Sequence, residues 1–240
     1  MTSNRRPSVV LLDIEGTTTP ISFVYETLFP YARMHLKQFI EKNGNDEGLR
    51  RDLEKLVEEN QAEKAVSAPV ISEALSRAQA YDYLVWLMNE DRKSPALKSI
   101  QGKIWERGYA SGQLTSTVFA DVPVAFERWR SEGRRIAIYS SGSLLAQRQL
   151  FQHSQAGDLT PWIEAYFDTA IGAKTEVESY HRIAYTLSIR PDEILFLSDS
   201  PAELDAAASA GLRVHLAIRP GNREERPSIR HLPVFSFDEL

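Results

Sequence analysis

The chain has 240 residues, 42% of them hydrophobic and 25% charged, with a net charge of −5. That length and apolar content suffice for one sizeable core plus a smaller second unit, and the acidic balance speaks against a general nucleic-acid binder. With no cysteine in the chain, disulfides, thiolate metal sites and cysteine nucleophiles are all excluded.

The first predicted element is a strand over residues 9–12, Val9-Val10-Leu11-Leu12. Aliphatic residues without polar alternation suit a strand covered on both faces. It runs into Asp13-Ile14-Glu15-Gly16-Thr17-Thr18-Thr19. Residues 21–112 then read as helical throughout, with helices over 25–42, 47–60, 71–88 and 96–109. Gly44, Gly48 and Ser67-Ala68-Pro69 mark the breaks. So long an insertion after one strand is not an ordinary loop, and a helical cap is expected. A further helix should begin near Asp121, with Pro123 in its first turn and Gly133 past its end. Strands and helices then alternate: strand 135–140, helix 144–153, strand 165–169. Thr175-Glu176-Val177-Glu178 has capping-box spacing and should open a helix to about Leu187. Strand 194–199, a helix over 201–210 ending at Gly211, strand 212–217 and an edge strand over 234–237 complete the series. Such alternation specifies an α/β fold with a parallel sheet and right-handed crossovers. The expected domains are an α/β catalytic core of residues 1–20 and 113–240 and a helical cap of 21–112.

Arg5 and Arg6 precede the first apolar run, but Asp13 interrupts it too early for a signal peptide. No stretch reaches the roughly 20 apolar residues of a membrane span. The final Phe237-Asp238-Glu239-Leu240 looks like a retention tail, which carries no meaning without an export signal. A cytoplasmic protein with no membrane or nucleic-acid partner is expected.

Four chemistry-bearing features fall at strand ends on one edge of the sheet, where such folds place ligands. They are Asp13 with Glu15, Ser140-Ser141-Gly142-Ser143, Lys174, and Asp199 in Leu197-Ser198-Asp199-Ser200. Each has a plainer alternative: Asp13 as a turn or cap residue, Asp199 as a turn and N-cap, the serines as an ordinary strand end, Lys174 as a surface charge. Together they say more. Two acids with nearby backbone carbonyls make an all-oxygen site for a hard cation such as Mg²⁺, which keeps several waters and a substrate phosphate. The Gly142 turn at a helix N-terminus offers N–H groups and a favourable dipole to that phosphate. Lys174 adds a compact positive charge. Phosphoryl transfer needs positioning, charge neutralisation and a nucleophile, and a carboxylate serves as one by forming an aspartyl-phosphate. Asp13 is the candidate.

At these residues the sequence resembles the haloacid dehalogenase superfamily of phosphatases, whose four motifs occur here in order between about Val9 and Ala217. Most members carry a second Asp two residues after the nucleophile; here that residue is Glu15. The opening Asp-Ile-Glu-Gly-Thr-Thr-Thr-Pro-Ile-Ser-Phe-Val looks like the signature of the enolase-phosphatases of methionine salvage. Tyr139-Ser140-Ser141-Gly142-Ser143 and Lys174-Thr175-Glu176-Val177-Glu178-Ser179-Tyr180 are similar to that family as well.

The resemblance implies a Rossmann-like core and a monomer. It implies 2,3-diketo-5-methylthiopentyl-1-phosphate as substrate, first enolised and then dephosphorylated to an acireductone. It also implies one Mg²⁺ held by the carboxylates of Asp13 and Asp199 and the backbone carbonyl of Glu15. Ser140, Ser141, Gly142 and Lys174 would contact substrate. The base for enolisation is not evident; Glu15, longer than Asp, is the candidate. The rivals are a phosphatase for another small phosphoester, a metal-independent dehalogenase using Asp13, and a silent scaffold that binds a partner.

The remaining features read as structural. The five histidines show no metal-ligand spacing, and Trp86, Trp105 and Trp129 fall in helical patterns as core residues. The acid-rich stretch 54–63 reads as a solvated helix face. Phe23, Val24, Tyr25 and Phe29 read as cap packing, or alternatively as walls against the methylthio tail of the substrate. Arg219 and Arg223, in a polar loop after the fifth strand, are expected in solvent, with phosphate steering as the alternative. One of Glu203 and Asp205 is expected to orient Lys174 or a metal-bound water.

Overall fold

A computed structural model describes residues 6–43, 46–72, 74–222 and 231–240. The chain divides into two compact units, Met1–Tyr25 with Thr115–Leu240, and Glu26–Leu114.

In chain order the first unit opens with β1 (Val9–Leu12), which is fully buried. The second unit is helical among its described residues: α1 (Phe29–Lys42), α2 (Glu47–Ala62), α3 (Arg77–Asn89) and α4 (Pro95–Ala110). The first unit then resumes with α5 (Asp121–Ser131), β2 (Arg135–Tyr139), α6 (Leu144–Gln152), β3 (Ala165–Phe167), α7 (Val177–Thr186), β4 (Ile194–Ser198), α8 (Pro201–Ser209), β5 (Arg213–Ala217) and β6 (Pro233–Val234).

The six strands described form one parallel sheet in the order β3-β2-β1-β4-β5-β6. Strand β1 is central. Leu12 pairs with Ile138 of β2 on one side and Leu197 of β4 on the other. The chain winds outward from β1 through β2 to β3, then crosses back to β4 and winds the other way. The reversal leaves a crevice at the carboxyl ends of β1 and β4, and Asp13 and Asp199 are the first residues past those ends.

Alternation along the buried strands divides the core. Val9, Leu11, Ala137, Tyr139 and Phe196 pack with Tyr180, Ile183 and Leu187 of the α7 segment and with Leu204 and Ala207 of α8. Elsewhere in this unit Phe126 and Trp129 of α5 gather Phe151 and Phe237 at centroid distances of 5.4–6.2 Å. Burying each such ring contributes about 1.5–3 kcal/mol.

In the helical unit, Trp105 Nε1 donates to the Leu28 carbonyl at 2.8 Å. Lys103 pairs with Asp52 between α4 and α2 at 2.5 Å. Among the described residues no helix is long and apolar enough to cross a membrane.

Four local expectations are corrected. The helix expected over 71–88 begins at Arg77, because Ser76 and Gln79 form a capping box there. Gly48 lies inside α2, behind an Asp46 cap that accepts from Leu49 N–H; Gly44 lies outside the described residues. Thr175 opens no capping box: Glu176 is the N-cap of α7, without a side-chain cap bond. Phe237 sits in a 3₁₀ turn capped by Ser236, not in an edge strand, and its ring packs on Trp129.

Candidate active site

The loop after β1 builds the first wall. Gly16 has φ +72°, and a Cβ there would lie 2.3 Å from Asp199 Oδ2, so only glycine lets that carboxylate lie against the loop. The Gly16 N–H donates to the Thr19 carbonyl at 2.8 Å, closing a tight turn. Thr17 ties the two strand ends together. Its hydroxyl donates to Asp13 Oδ2 at 3.4 Å and accepts from the Asp199 N–H at 3.1 Å. Asp13 is 6% exposed.

Lys174 arrives on the loop before α7. Tyr180 OH donates to its carbonyl (2.6 Å), Tyr139 OH donates to the Gly172 carbonyl (2.9 Å), and Ser179 Oγ donates to the Ala173 carbonyl (2.7 Å). Gly172 has φ +141°, and a Cβ there would meet Ser179 Oγ at 2.1 Å. So clamped, the buried ammonium lies 2.5 Å from Asp13 Oδ1 and 2.7 Å from Glu203 Oε2. Ser198 Oγ donates to the same Glu203 oxygen at 2.8 Å. Glu203 is therefore the acid on α8 that faces Lys174. Asp205 pairs instead with His231, at 2.9 Å.

Ser140 and Ser141 follow β2 at the same carboxyl edge of the sheet, Ser140 buried and Ser141 exposed. Gly142 N–H donates to Ser140 Oγ (3.2 Å), so a phosphate bound at that amide must displace this bond. Gln147 Nε2, donating to the Gly142 and Phe167 carbonyls at 2.8 and 2.9 Å, fixes the turn. Ser143 caps α6 by accepting from Ala146 N–H.

The electrostatics follow from three carboxylates near one ammonium. Burial, then the negative charges of Asp13 and Glu203, push the Asp199 carboxyl up to about 7, against the pull of Lys174. Burial and Asp13 also raise Glu203. Burial alone would lower Lys174, but Asp13 and Glu203 outweigh it and hold the ammonium above its ordinary value.

This excess of negative charge, presented entirely by oxygen atoms, fits a hard divalent cation. Among the described residues no three acidic or imidazole side chains converge as a ready-made cage. A cation here would draw on two carboxylates and a loop carbonyl, and would complete its shell with water and phosphate oxygens.

Sequence reasoning missed Thr17, the Tyr139–Tyr180 clamp and Arg219. Arg219 is not solvated. It is 5% exposed, with Nε donating to the Thr17 carbonyl at 3.0 Å and Nη1 lying 2.7 Å from Asp121 Oδ2. Arg223 lies outside the described residues.

A parallel sheet with an acid past β1, an acid past β4 and a lysine paired to the first defines a class of hydrolase. A family model described as haloacid dehalogenase-like hydrolase matches residues 7–211. The chain is 48% identical to the enolase-phosphatase E1 of Synechococcus elongatus, over 97% of both chains. It is 43% identical to that of Drosophila melanogaster, over 92% of this chain and 86% of that one. The crystal structure of the UTR4 protein (Unknown transcript 4 protein) of Saccharomyces cerevisiae superposes with a TM-score of 0.80 at 36% identity. It covers 98% of this chain and 100% of that one. A dehalogenase intermediate complex, at 17% identity and a TM-score of 0.55, shares the fold. The chain belongs to the enolase-phosphatases, within the haloacid dehalogenase-like hydrolases.

Proposed function

We propose that the chain is an Mg²⁺-dependent acireductone synthase of methionine salvage. It enolises 2,3-diketo-5-methylthiopentyl-1-phosphate, then releases phosphate and 1,2-dihydroxy-3-keto-5-methylthiopentene. The observation that carries this reading is Asp13. The carboxylate is buried and held by Lys174 on one oxygen and by the Thr17 hydroxyl on the other. These contacts aim it as a nucleophile.

Asp13, Asp199 and the Glu15 carbonyl would hold the ion, which when bound supplies charge neutralisation to phosphate and enolate oxygens. Ser140, Ser141 and the Gly142 turn bind the phosphate, and Lys174 binds its oxygens as they load charge. Glu15 removes a proton from C1, beside the C2 carbonyl; the C–H electron pair becomes the C1=C2 double bond and the C2 oxygen takes up a proton from water. In the second step an Asp13 oxygen bonds to phosphorus as the bond from phosphorus to the C1 oxygen breaks, and the leaving oxygen takes up a proton. Water then adds to the aspartyl-phosphate at phosphorus, freeing inorganic phosphate and restoring the carboxylate. In this reading the chain acts as a cytoplasmic monomer, and the helical segment 21–112 is its cap domain.

The test incubates the protein with the diketo phosphate and Mg²⁺, following enol absorbance and phosphate separately, with and without chelator. Phosphate release that survives the chelator refutes metal dependence. Glu15→Gln that enolises at the wild-type rate refutes Glu15 as base.

A further inference from the structure

The buried guanidinium of Arg219 lies outside every motif assigned above, yet it reaches the nucleophile loop. Its Nε donates to the Thr17 carbonyl at 3.0 Å, and its Nη1 donates to Asp121 Oδ2 at 2.7 Å and to the Phe235 carbonyl at 3.1 Å. Its Cζ lies over two rings, 4.1 Å from the Phe237 centroid and 4.9 Å from that of Phe119. Nη2 is buried and has no hydrogen-bond partner among the described residues. Asp121, in turn, accepts from the Phe237 N–H at 2.6 Å and from Ser236 Oγ at 3.2 Å. The C-terminal turn, the start of α5 and the active-site loop therefore converge on one side chain.

We propose that Arg219 is a positioning residue for the reaction. It fixes the Thr17 backbone, and so fixes the Thr17 hydroxyl that bridges Asp13 and the Asp199 N–H. The loop has a second brace in Asn222, whose Nδ2 donates to the Gly16 carbonyl at 2.9 Å. Both residues follow β5, so this segment supports the turn Gly16-Thr17 from behind. A planar fork packed against two rings and bonded along two edges holds one orientation, whereas a lysine in its place supplies charge without the fork. Asp13 and Asp199 are also the proposed ion-binding carboxylates. A loosened Thr17 should therefore weaken Mg²⁺ binding and the chemical step together. With Mg²⁺ saturating for each variant, binding of the phosphate, which also rests on Ser140, Ser141, the Gly142 turn and Lys174, should change little. The inference rests on the functional reading above, and the Mg²⁺ arm of its test does not need the substrate.

The test compares wild type with Arg219→Lys, and with Asp121→Asn, which loosens the guanidinium from its far side and preserves shape. Mg²⁺ binding is measured by calorimetry without substrate, kcat and KM with the diketo phosphate, and folding by circular dichroism at the assay temperature. The expected result is a loss of about 10–100-fold in Mg²⁺ affinity and in kcat for Arg219→Lys, the scale for groups that orient metal ligands. KM should stay within about twofold, and Asp121→Asn should show the same pattern at smaller amplitude. Should Arg219→Lys not fold, Asp121→Asn decides alone. A folded variant with wild-type Mg²⁺ affinity and kcat overturns the proposal, as does a lower melting temperature with unchanged kcat in the folded protein. A wild type that binds Mg²⁺ but releases no phosphate refutes the functional reading. Loss of Mg²⁺ affinity in Arg219→Lys would still support the positioning role.

Discussion

Replacing Lys174 with Met removes the one side-chain cation bonded to both Asp13 and Glu203 among the described residues, while keeping much of the apolar stem. The ammonium is only 9% exposed, so water cannot take its place. Removing one partner of a buried ion pair costs about 3–5 kcal/mol. At about 2–4 °C per kcal/mol for a protein of this size, the melting temperature should fall by roughly 6–20 °C. The deficit should depend on pH. Glu203 is already raised with Lys174 beside it and rises further without it, so the folded variant holds more protons than the unfolded chain at mildly acid pH. Its stability therefore falls as pH rises, and the gap to wild type should widen as pH climbs above the ordinary glutamate value of 4.5. In the wild type the lysine is held above its ordinary 10.5. Its contribution is complete below that value and is lost only as pH climbs through the higher folded-state value. Calorimetric melts in chelator over a pH series provide the assay. A drop of under about 2 °C, or a gap of constant size across pH, would refute the reasoning.

Asp199→Asn should stabilise the metal-free protein at pH 8. Its carboxyl, raised to about 7 from 3.8, contributes stability that falls as pH rises through that window. The same variant should lose the melting-temperature gain that Mg²⁺ confers on wild type. Gly16→Ala should cost about 1–2 kcal/mol for its left-handed backbone and displace Asp199, whose Oδ2 would lie 2.3 Å from the new Cβ. Mg²⁺ calorimetry should show binding lost in a protein that still melts cooperatively. Gly172→Ala, blocked by Ser179 Oγ, should swing Lys174 away from Asp13 and lower kcat by at least about tenfold, read by phosphate release.

Much of this was legible in the chain because buried parallel strands leave a simple trace: apolar runs such as Val9–Leu12 and Ile194–Ser198, each ending where an acid stands. Asp13, Lys174 and Glu203 are drawn together by topology, and their contact follows once the strand order is known. What stayed hidden depends on long-range pairing. Arg219 looks like a loop cation in one dimension, and only Asp121 and Phe237, far away in the chain, make it a buried brace. Glu203 and Asp205 were indistinguishable until His231 claimed the second. The spacing Thr175 to Glu178 imitates a capping box, but α7 begins one residue too late to use it.

The central claim is that the Asp13 carboxylate attacks phosphorus. Quenching the enzyme during turnover with borohydride, which reduces an acyl phosphate to the alcohol, and sequencing the product by mass spectrometry tests it most directly. The account predicts homoserine at position 13, and none in Asp13→Asn. Rapid phosphate release with an unmodified Asp13 under the same quench would contradict it.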